Sequence, residues 1–282
     1  GEKVWLKGIC CHDDHPEGGR TLTEEDVRTN FGLAKELHCN FMRLAHYPHH
    51  ERSARIADEI GLLLWEEIPV YWDIAFEKPG TLADAENQLS ELILRDRNRA
   101  SVIIWSVGNE NLDTDARLAF MGSLADRARA IDDTRLVSAA CLTHNERFAD
   151  RLIGKLDVIG MNEYYGWYSP YFERLLDLEK DSLPDRPVII TETGGGALSG
   201  HHGTAETMWT EEFQAELYRK QVENIPKLKS VRGLSPWILY DFRAPFRLNV
   251  FQRGYNRKGL LNPDRTHRKQ AFYVLQDFYA RR

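Results

Sequence analysis

Short apolar runs that alternate with helix-patterned stretches constrain the fold of this 282-residue chain more than any other feature. The runs are Trp5–Ile9, Phe41–Leu44, Leu62–Trp65, Val102–Trp105, Leu136–Ala139, Val158–Gly160, Val188–Thr191 and Leu234–Leu239. They are rich in β-branched and aromatic residues and too short for helices, so they read as strands buried on both faces. Between them the period changes. Thr23 caps a helix, with Asp26 three residues on, and Val27, Phe31, Ala34 and Leu37 fall along one face. Phe213, Leu217, Val222 and Ile225 repeat at helical spacing before Pro226. Helices also fit Arg52–Ile60, Leu82–Arg95, Asp115–Ile131, Glu146–Ile153, Tyr171–Leu178 and Lys269–Phe278. Eight strand–helix units predict an α/β fold closed as a (β/α)8 TIM barrel, with a doubly wound sheet the less common answer. No linker or repeat divides residues 1–282, and 42% hydrophobic content suits one core. The whole chain therefore reads as a single domain.

The chemistry concentrates where strands end. Val102–Asn111 reads VIIWSVGNEN: an apolar run, a stretch that loosens at Ser106-Val107-Gly108, then Asn109-Glu110-Asn111 together. Taken alone, Glu110 has a bland reading as a helix-cap neighbour or ion-pair partner. Val188–Gly196, VIITETGGG, repeats the design with Glu192. Barrels carry their active sites at the C-terminal ends of strands, and the fourth and seventh strands lie across the mouth from each other. Two carboxyl groups placed there suit glycoside hydrolysis, in which one acts as acid and then base while the other attacks the anomeric carbon. Asn109 beside the acid can hydrogen-bond a sugar hydroxyl. The long polar or Gly/Pro-rich stretches Cys10–Leu22, Ile68–Thr81, Thr193–Thr210 and Tyr240–Pro263 all follow strands, on that same side.

The formal net charge of −6 argues against nucleic acid or an acidic membrane as partner. No apolar run approaches the roughly 20 residues of a membrane span. The chain opens abruptly into its first strand without a signal-peptide pattern, which suggests a domain from a longer polypeptide. The native compartment is then not readable, with the cytoplasm as default. Cys10, Cys11, Cys39 and Cys141 form no CxxC pair and read as core or strand-end thiols. His201-His202 sits in a Gly-rich loop without a carboxylate triad, so neither a metal nor a cofactor is expected. Seven Trp residues suit sugar stacking, although core packing is their default use.

Gly108-Asn109-Glu110-Asn111, Ile190-Thr191-Glu192-Thr193 and Met42-Arg43-Leu44-Ala45-His46-Tyr47-Pro48 together resemble the catalytic barrel of glycoside hydrolase family 2. Asn162-Glu163-Tyr164-Tyr165-Gly166-Trp167-Tyr168 and Asn256-Arg257-Lys258-Gly259 are similar to motifs of its β-glucuronidases. A uronic acid carries a carboxylate, and a Lys with an Asn amide supplies charge-assisted donors for it. On its own the Asn256–Lys258 stretch reads more readily as a solvated turn, and beside the other motifs the uronate reading prevails.

The resemblance implies a retaining, exo-acting hydrolase of β-glucuronides. β-Galactosidase, β-galacturonidase and a sugar-binding barrel without turnover are the alternatives. It implies Glu110 as acid/base, Glu192 as nucleophile, Tyr164 orienting that nucleophile, and Arg43 hydrogen-bonded to it. Trp237 becomes a wall beside the sugar. His12, Asn109, Tyr168, Asn256 and Lys258 contact substrate, with His46 and Asn162 in support. Glu66-Glu67, after the third strand, can join the charge network under the site, and a structural ion pair is the expected role rather than catalysis. Family members normally carry a jelly-roll and an immunoglobulin-like domain before the barrel, so the full-length protein is expected to hold such β-sandwich domains and to form a homo-oligomer. Arg247 and Arg253 both remain open as partners of Lys258, and His144 has no matched role.

Overall fold

The computed structural model describes residues 3–143, 149–181 and 186–282. Strands β1 (Leu6–Cys11), β2 (Phe41–Leu44), β3 (Leu63–Glu67), β4 (Val102–Asn109), β5 (Leu136–Leu142), β6 (Ile159–Asn162), β7 (Val188–Glu192) and β8 (Val231–Leu234) close a parallel barrel in sequence order. Helices α1 (Glu24–Glu36), α2 (Glu51–Ile60), α3 (Pro79–Asp96), α4 (Asp115–Ile131), α5 (Arg174–Asp181), α6 (Glu211–Asn224) and α7 (Gln270–Ala280) surround it. A short antiparallel pair, β9 (Phe242–Arg243) and β10 (Tyr255–Asn256), stands in the loop after β8. The α1 capping box is present as the sequence predicts: Asp26 N–H donates to Thr23 Oγ1, and Thr23 N–H donates to Asp26 Oδ2.

Several expected boundaries move, each for a visible reason. β4 does not loosen after Trp105. It runs on to Asn109 with Ser106, Val107 and Gly108 buried, and a register shift against β5 lies between Ser106 and Asn109. β3 likewise includes Glu66 and Glu67, because both side chains are buried inside the fold. The last strand is Val231–Leu234, three residues before the expected start. Gly233 and the exposed Arg232 hide its apolar signal, and a Cβ on Gly233 would lie 2.7 Å from Leu6 Cβ where the barrel closes. Leu234–Leu239 is apolar because the chain continues along the barrel wall beyond Leu234: Ser235 N–H donates to Ile190 O and Trp237 N–H to Thr193 O on the β7 side, while Cys10 N–H donates to Pro236 O and Leu239 N–H to Cys10 O on the β1 side. Between β5 and β6 the described residues hold one 3-10 turn, Arg151–Lys155, in place of the end of the helix expected at Glu146–Ile153. Residues 144–148, including the start of that helix and His144, lie outside the described residues. α5 begins at Arg174, since Tyr171–Glu173 form a turn in which Arg174 N–H donates to Tyr171 O ahead of the helix.

Inside the barrel, Phe41, Trp65, Ile104, Ala140, Val158 and Ile189 form a compact apolar plug beneath the mouth. Gly160 makes room for it, since a Cβ there would lie 2.9 Å from Trp65 Cη2 and 2.7 Å from Ala139 O. The larger core fills the space between strands and helices. All four cysteines are buried and unpaired, and burial pushes the Cys10 and Cys11 thiols up to about 12. Lys269, fully buried before α7, ties three loops together. Its Nζ donates to Asp241 Oδ1 at 2.7 Å, to Ala197 O at 2.6 Å and to Arg257 O at 3.1 Å.

Removing one member of a buried ion pair strands the other charge. Lys269→Met should therefore destabilise the fold by about 3 kcal/mol in urea unfolding, softened only by the Arg257 partner that Asp241 retains. A cost below about 0.5 kcal/mol, the range of neutral surface changes, would show that Asp241 is not left stranded.

Candidate active site

Arg43, at the end of β2, sets the floor of the barrel mouth and is wholly buried. A guanidinium has five N–H donors, and here each has an acceptor. Nε donates to Glu67 Oε2 at 3.2 Å, and one terminal nitrogen reaches Glu192 Oε1 at 2.7 Å and Thr191 O at 3.2 Å. The other reaches Glu67 Oε1 at 3.1 Å and Asn109 Oδ1 at 2.7 Å. Three strands are thereby keyed to one planar group. Glu67 is held in turn by Trp65 Nε1 at 2.7 Å and by His46 Nδ1 at 2.7 Å. Burial would raise the Glu67 carboxyl, but Arg43 and His46 outweigh it and bring it down to about 2.

Glu110 and Glu192 face the same cavity of about 360 Å³. Their surroundings differ. Burial, and next the charge of Glu192, raise the pKa of Glu110 above the ordinary carboxyl value. Its Oε1 accepts from Asn162 Nδ2 at 2.9 Å and its Oε2 from Trp72 Nε1 at 3.0 Å. Its backbone φ of +53° lies in the left-handed region, sparsely used by non-glycine residues. Glu192 instead accepts from Arg43 and, through Oε2, from the Tyr164 hydroxyl at 2.6 Å. One carboxyl is thus biased toward the protonated form while the other is met by donors suited to a carboxylate, the division that acid and nucleophile require.

The remaining expected residues converge here. His12, His46, Tyr164, Tyr168, Trp237, Asn256 and Lys258 line the cavity. Trp237 stacks on His46 at 4.9 Å and meets His12 edge-on at 5.1 Å. Asn109 and Asn162 lie beneath the lining: Asn109 Oδ1 accepts from Arg43 and from Asn162 Nδ2, which leaves its own N–H groups for a ligand. Lys258 is 4% exposed and sits over the rings of Tyr164 and Tyr168, at 4.6 and 4.5 Å. Its Nζ lies 2.7 Å from the Tyr168 hydroxyl, and no carboxylate pairs with it among the described residues. Burial lowers the Lys258 pKa, and against its own burial Tyr168 is pulled down by this ammonium. Of the two open arginines, Arg247 lines the cavity, whereas Arg253 is exposed and donates to Val250 O.

Glu67 joins the charge network under the site, one of the two readings of Glu66-Glu67, through Arg43 and His46. Other groups escape the sequence reading. Glu66 points elsewhere, and burial and then Asp96 push it up to about 8. Glu163 faces away from Asn162 and Tyr164, accepts from Tyr165 N–H and Gln221 Nε2, and is pushed up to about 7 by burial. Trp72 and Tyr71 sit in a polar loop after β3, and their only sequence signal is adjacency of two aromatics on the active side. His201 and His202 do not form a site: His201 lies against Phe251 and His202 binds Glu212 at 2.9 Å.

A closed (β/α)8 barrel with two carboxyl groups converging on a cation-lined cleft defines a class of α/β barrel proteins. Residues 1–281 match the family described as glycosyl hydrolases family 2, TIM barrel domain, and the chain belongs to it. It is 29% identical over 99% of its length to a β-glucuronidase of Streptococcus agalactiae, and 30% identical over 96% to one of Paenibacillus borealis. It spans 50% and 48% of those relatives, about half their length. A solved β-galacturonidase from Eisenbergiella tayi, bound to galacturonate, superposes over the whole chain and 52% of its own, with TM-score 0.92 and 27% identity.

The depressed pKa of Glu67 carries a sign. A carboxylate whose folded pKa lies below the unfolded 4.5 stabilises the fold above that value, and the contribution fades as pH falls toward 2. Wild type should lose about 3 kcal/mol more unfolding free energy than Glu67→Gln between pH 5 and about 2. Parallel stability curves for the two proteins would refute the assignment.

Proposed function

We propose that this barrel is the catalytic domain of a retaining, exo-acting glycoside hydrolase that removes terminal β-D-glucuronides. The observation that carries the substrate is Lys258. A buried ammonium with aromatic faces around it and no carboxylate partner among the described residues is costly unless an anion arrives. A uronate supplies that anion, and the Asn256 amide and Arg247 stand beside Lys258 in the cavity to share it. A neutral galactoside leaves the ammonium unpaired, so the same group rejects it.

In this reading Glu110 gives its proton to the glycosidic oxygen while Glu192 attacks the anomeric carbon and forms a glycosyl-enzyme. Glu110, now a base, takes a proton from the water that releases the sugar. Arg43 and Tyr164 hold the attacking carboxylate on both oxygens, and Tyr164 can return its hydrogen bond as the carboxylate becomes an ester. Asn109 donates to the hydroxyl next to the reacting carbon. Trp237, stacked on His46, makes the flat wall beside the sugar ring. The full-length protein is read as carrying β-sandwich domains ahead of the barrel and as a homo-oligomer. A β-galacturonidase is the second reading, favoured by the Eisenbergiella tayi neighbour: the two uronic acids share the carboxylate that Lys258 needs and differ at a ring hydroxyl.

Aryl β-glucuronide, β-galacturonide and β-galactoside separate these readings. Lys258→Ala should lose about 100-fold in kcat/KM on the preferred uronide and less than about tenfold on the galactoside. A galactoside preference that survives the substitution sinks the uronide reading. A 2-fluoro glucuronide should label Glu192, and labelling of another carboxylate would overturn its role. If wild type and Glu110→Gln both bind sugar and neither turns it over, the chain is a binding barrel only.

A further inference from the structure

Trp72 has a geometry that its loop position does not require. Its ring is 51% exposed, yet its indole Nε1 is directed at Glu110 Oε2 at 3.0 Å. The backbone around it is fastened to the strand that carries Glu110. Asn109 N–H donates to Val70 O at 2.8 Å, and Trp72 N–H donates to Asn109 O at 2.9 Å. Asn111 Nδ2 donates to Trp72 O at 2.8 Å. Trp72 takes a φ of +59°, in the left-handed region disfavoured by a bulky side chain. Tyr71 meets its ring edge-on at 5.5 Å and lies 5.6 Å from His46, so the pair forms one aromatic flank of the cavity. A large exposed indole, pinned on both sides and bonded to a carboxyl oxygen, serves a purpose other than core packing.

We propose that Trp72 is a positioning residue for the acid/base carboxyl and, with Tyr71, the stacking surface for a flat aromatic leaving group. This inference rests on the glucuronidase reading above. The indole N–H and Asn162 Nδ2 each occupy one oxygen of Glu110, so the carboxyl plane is fixed toward the bond to be broken. An aromatic aglycone that covers the open half of the Trp72 ring also removes water from the Nε1–Oε2 bond. Hydrogen bonds strengthen when water leaves them. Recognition of the leaving group and the readiness of the acid are then coupled through one side chain. A small alkyl aglycone leaves the ring wet and gains neither effect. In the ionised state of Glu110 the indole donates to an acceptor-only oxygen, so the bond favours that state, in line with its lowering effect on the Glu110 pKa.

Wild type, Trp72→Phe and Trp72→Ala are compared on phenyl and methyl β-glucuronide across pH. Trp72→Phe keeps the ring and loses the donor. Its KM for the phenyl substrate should stay within about twofold, while the alkaline limb of kcat/KM moves to higher pH. Trp72→Ala should raise KM for the phenyl substrate about threefold to tenfold and KM for the methyl substrate less than about twofold, while the alkaline limb moves to higher pH on both, as in Trp72→Phe. The unliganded protein gives a readout that needs no turnover. In 15N-indole NMR, the resonance lost in Trp72→Phe should titrate in wild type and stop titrating in Glu110→Gln. An alkaline limb that does not move in Trp72→Phe overturns the positioning role. An equal KM rise for both substrates in Trp72→Ala overturns the stacking role, and an indole titration that persists in Glu110→Gln overturns the contact itself. Should wild type cleave neither glucuronide, the glucuronidase reading fails, and the indole titration still decides whether Trp72 reports on Glu110.

Discussion

The Arg43 guanidinium is the constraint on which the rest of the site depends. It is buried among Glu67, Glu192, Asn109 and the Thr191 carbonyl, with every N–H donor engaged. A planar fork cannot tilt toward one acceptor without losing another, so the ends of β2, β3, β4 and β7 are registered against each other more tightly than the barrel ladder alone requires. Such a cluster is a poor source of net stability, because desolvating three charges costs about as much as their attraction returns. Its value lies in position. The apolar plug beneath supports the same arrangement: Gly160 admits Trp65, and Trp65 Nε1 holds the Glu67 oxygen that Arg43 also binds. Packing at the barrel centre is thus transmitted to the Glu192 carboxylate through three side chains.

The sequence shows the fold clearly because each β/α unit carries its own local signal. Strands four and seven are legible to within a few residues, since a continuous apolar run with a polar end suits little besides a buried strand. Strand eight is shifted, because Arg232 and Gly233 interrupt the pattern at its start while the apolar signal runs on through Leu234–Leu239, which stays bonded between the β7 end and β1 beyond the regular ladder. For the site, Glu110 and Glu192 are visible by their repeated context, and Lys258 by its motif. Glu67, Glu163 and Trp72 are harder to see, for physical reasons. A carboxylate beside another carboxylate in β3 has no sequence mark telling which one faces the barrel. A half-exposed indole in a polar loop looks like any surface aromatic until its N–H is found against Glu110.

The two ends of the cleft are built from different chemistry. On the β6–β8 side, Lys258 is enclosed by Tyr164, Trp167 and Tyr168, whose ring faces attract a cation without neutralising it. Below it, the buried Lys269–Asp241 pair fixes the Arg257 carbonyl, so the backbone that presents Lys258 is anchored in a dry core. On the β3–β4 side the cleft is open and aromatic. The rigid, charged end suits a glycone with an obligatory anion, and the open end suits leaving groups that vary.

Charge balance ties these halves to the reaction. Arg20, Arg247 and Lys258 line the cavity with Glu192, above the buried Arg43–Glu67 pair, and Arg243 there is paired with Asp14. Under the proposed function, a bound uronate adds an anion to a cleft whose lining cations outnumber its carboxylates. A neutral sugar leaves that excess uncompensated. The transition state of glycoside cleavage gathers positive charge at the anomeric carbon. That charge develops in a less positive pocket when the substrate is a uronide, and in a more positive one when it is not. Under that reading, discrimination by Lys258 is strongest in the transition state, where it enters kcat as well as binding. Release of the Glu110 proton to the leaving oxygen would work in the same direction, adding a negative charge beside the carbon as it becomes positive.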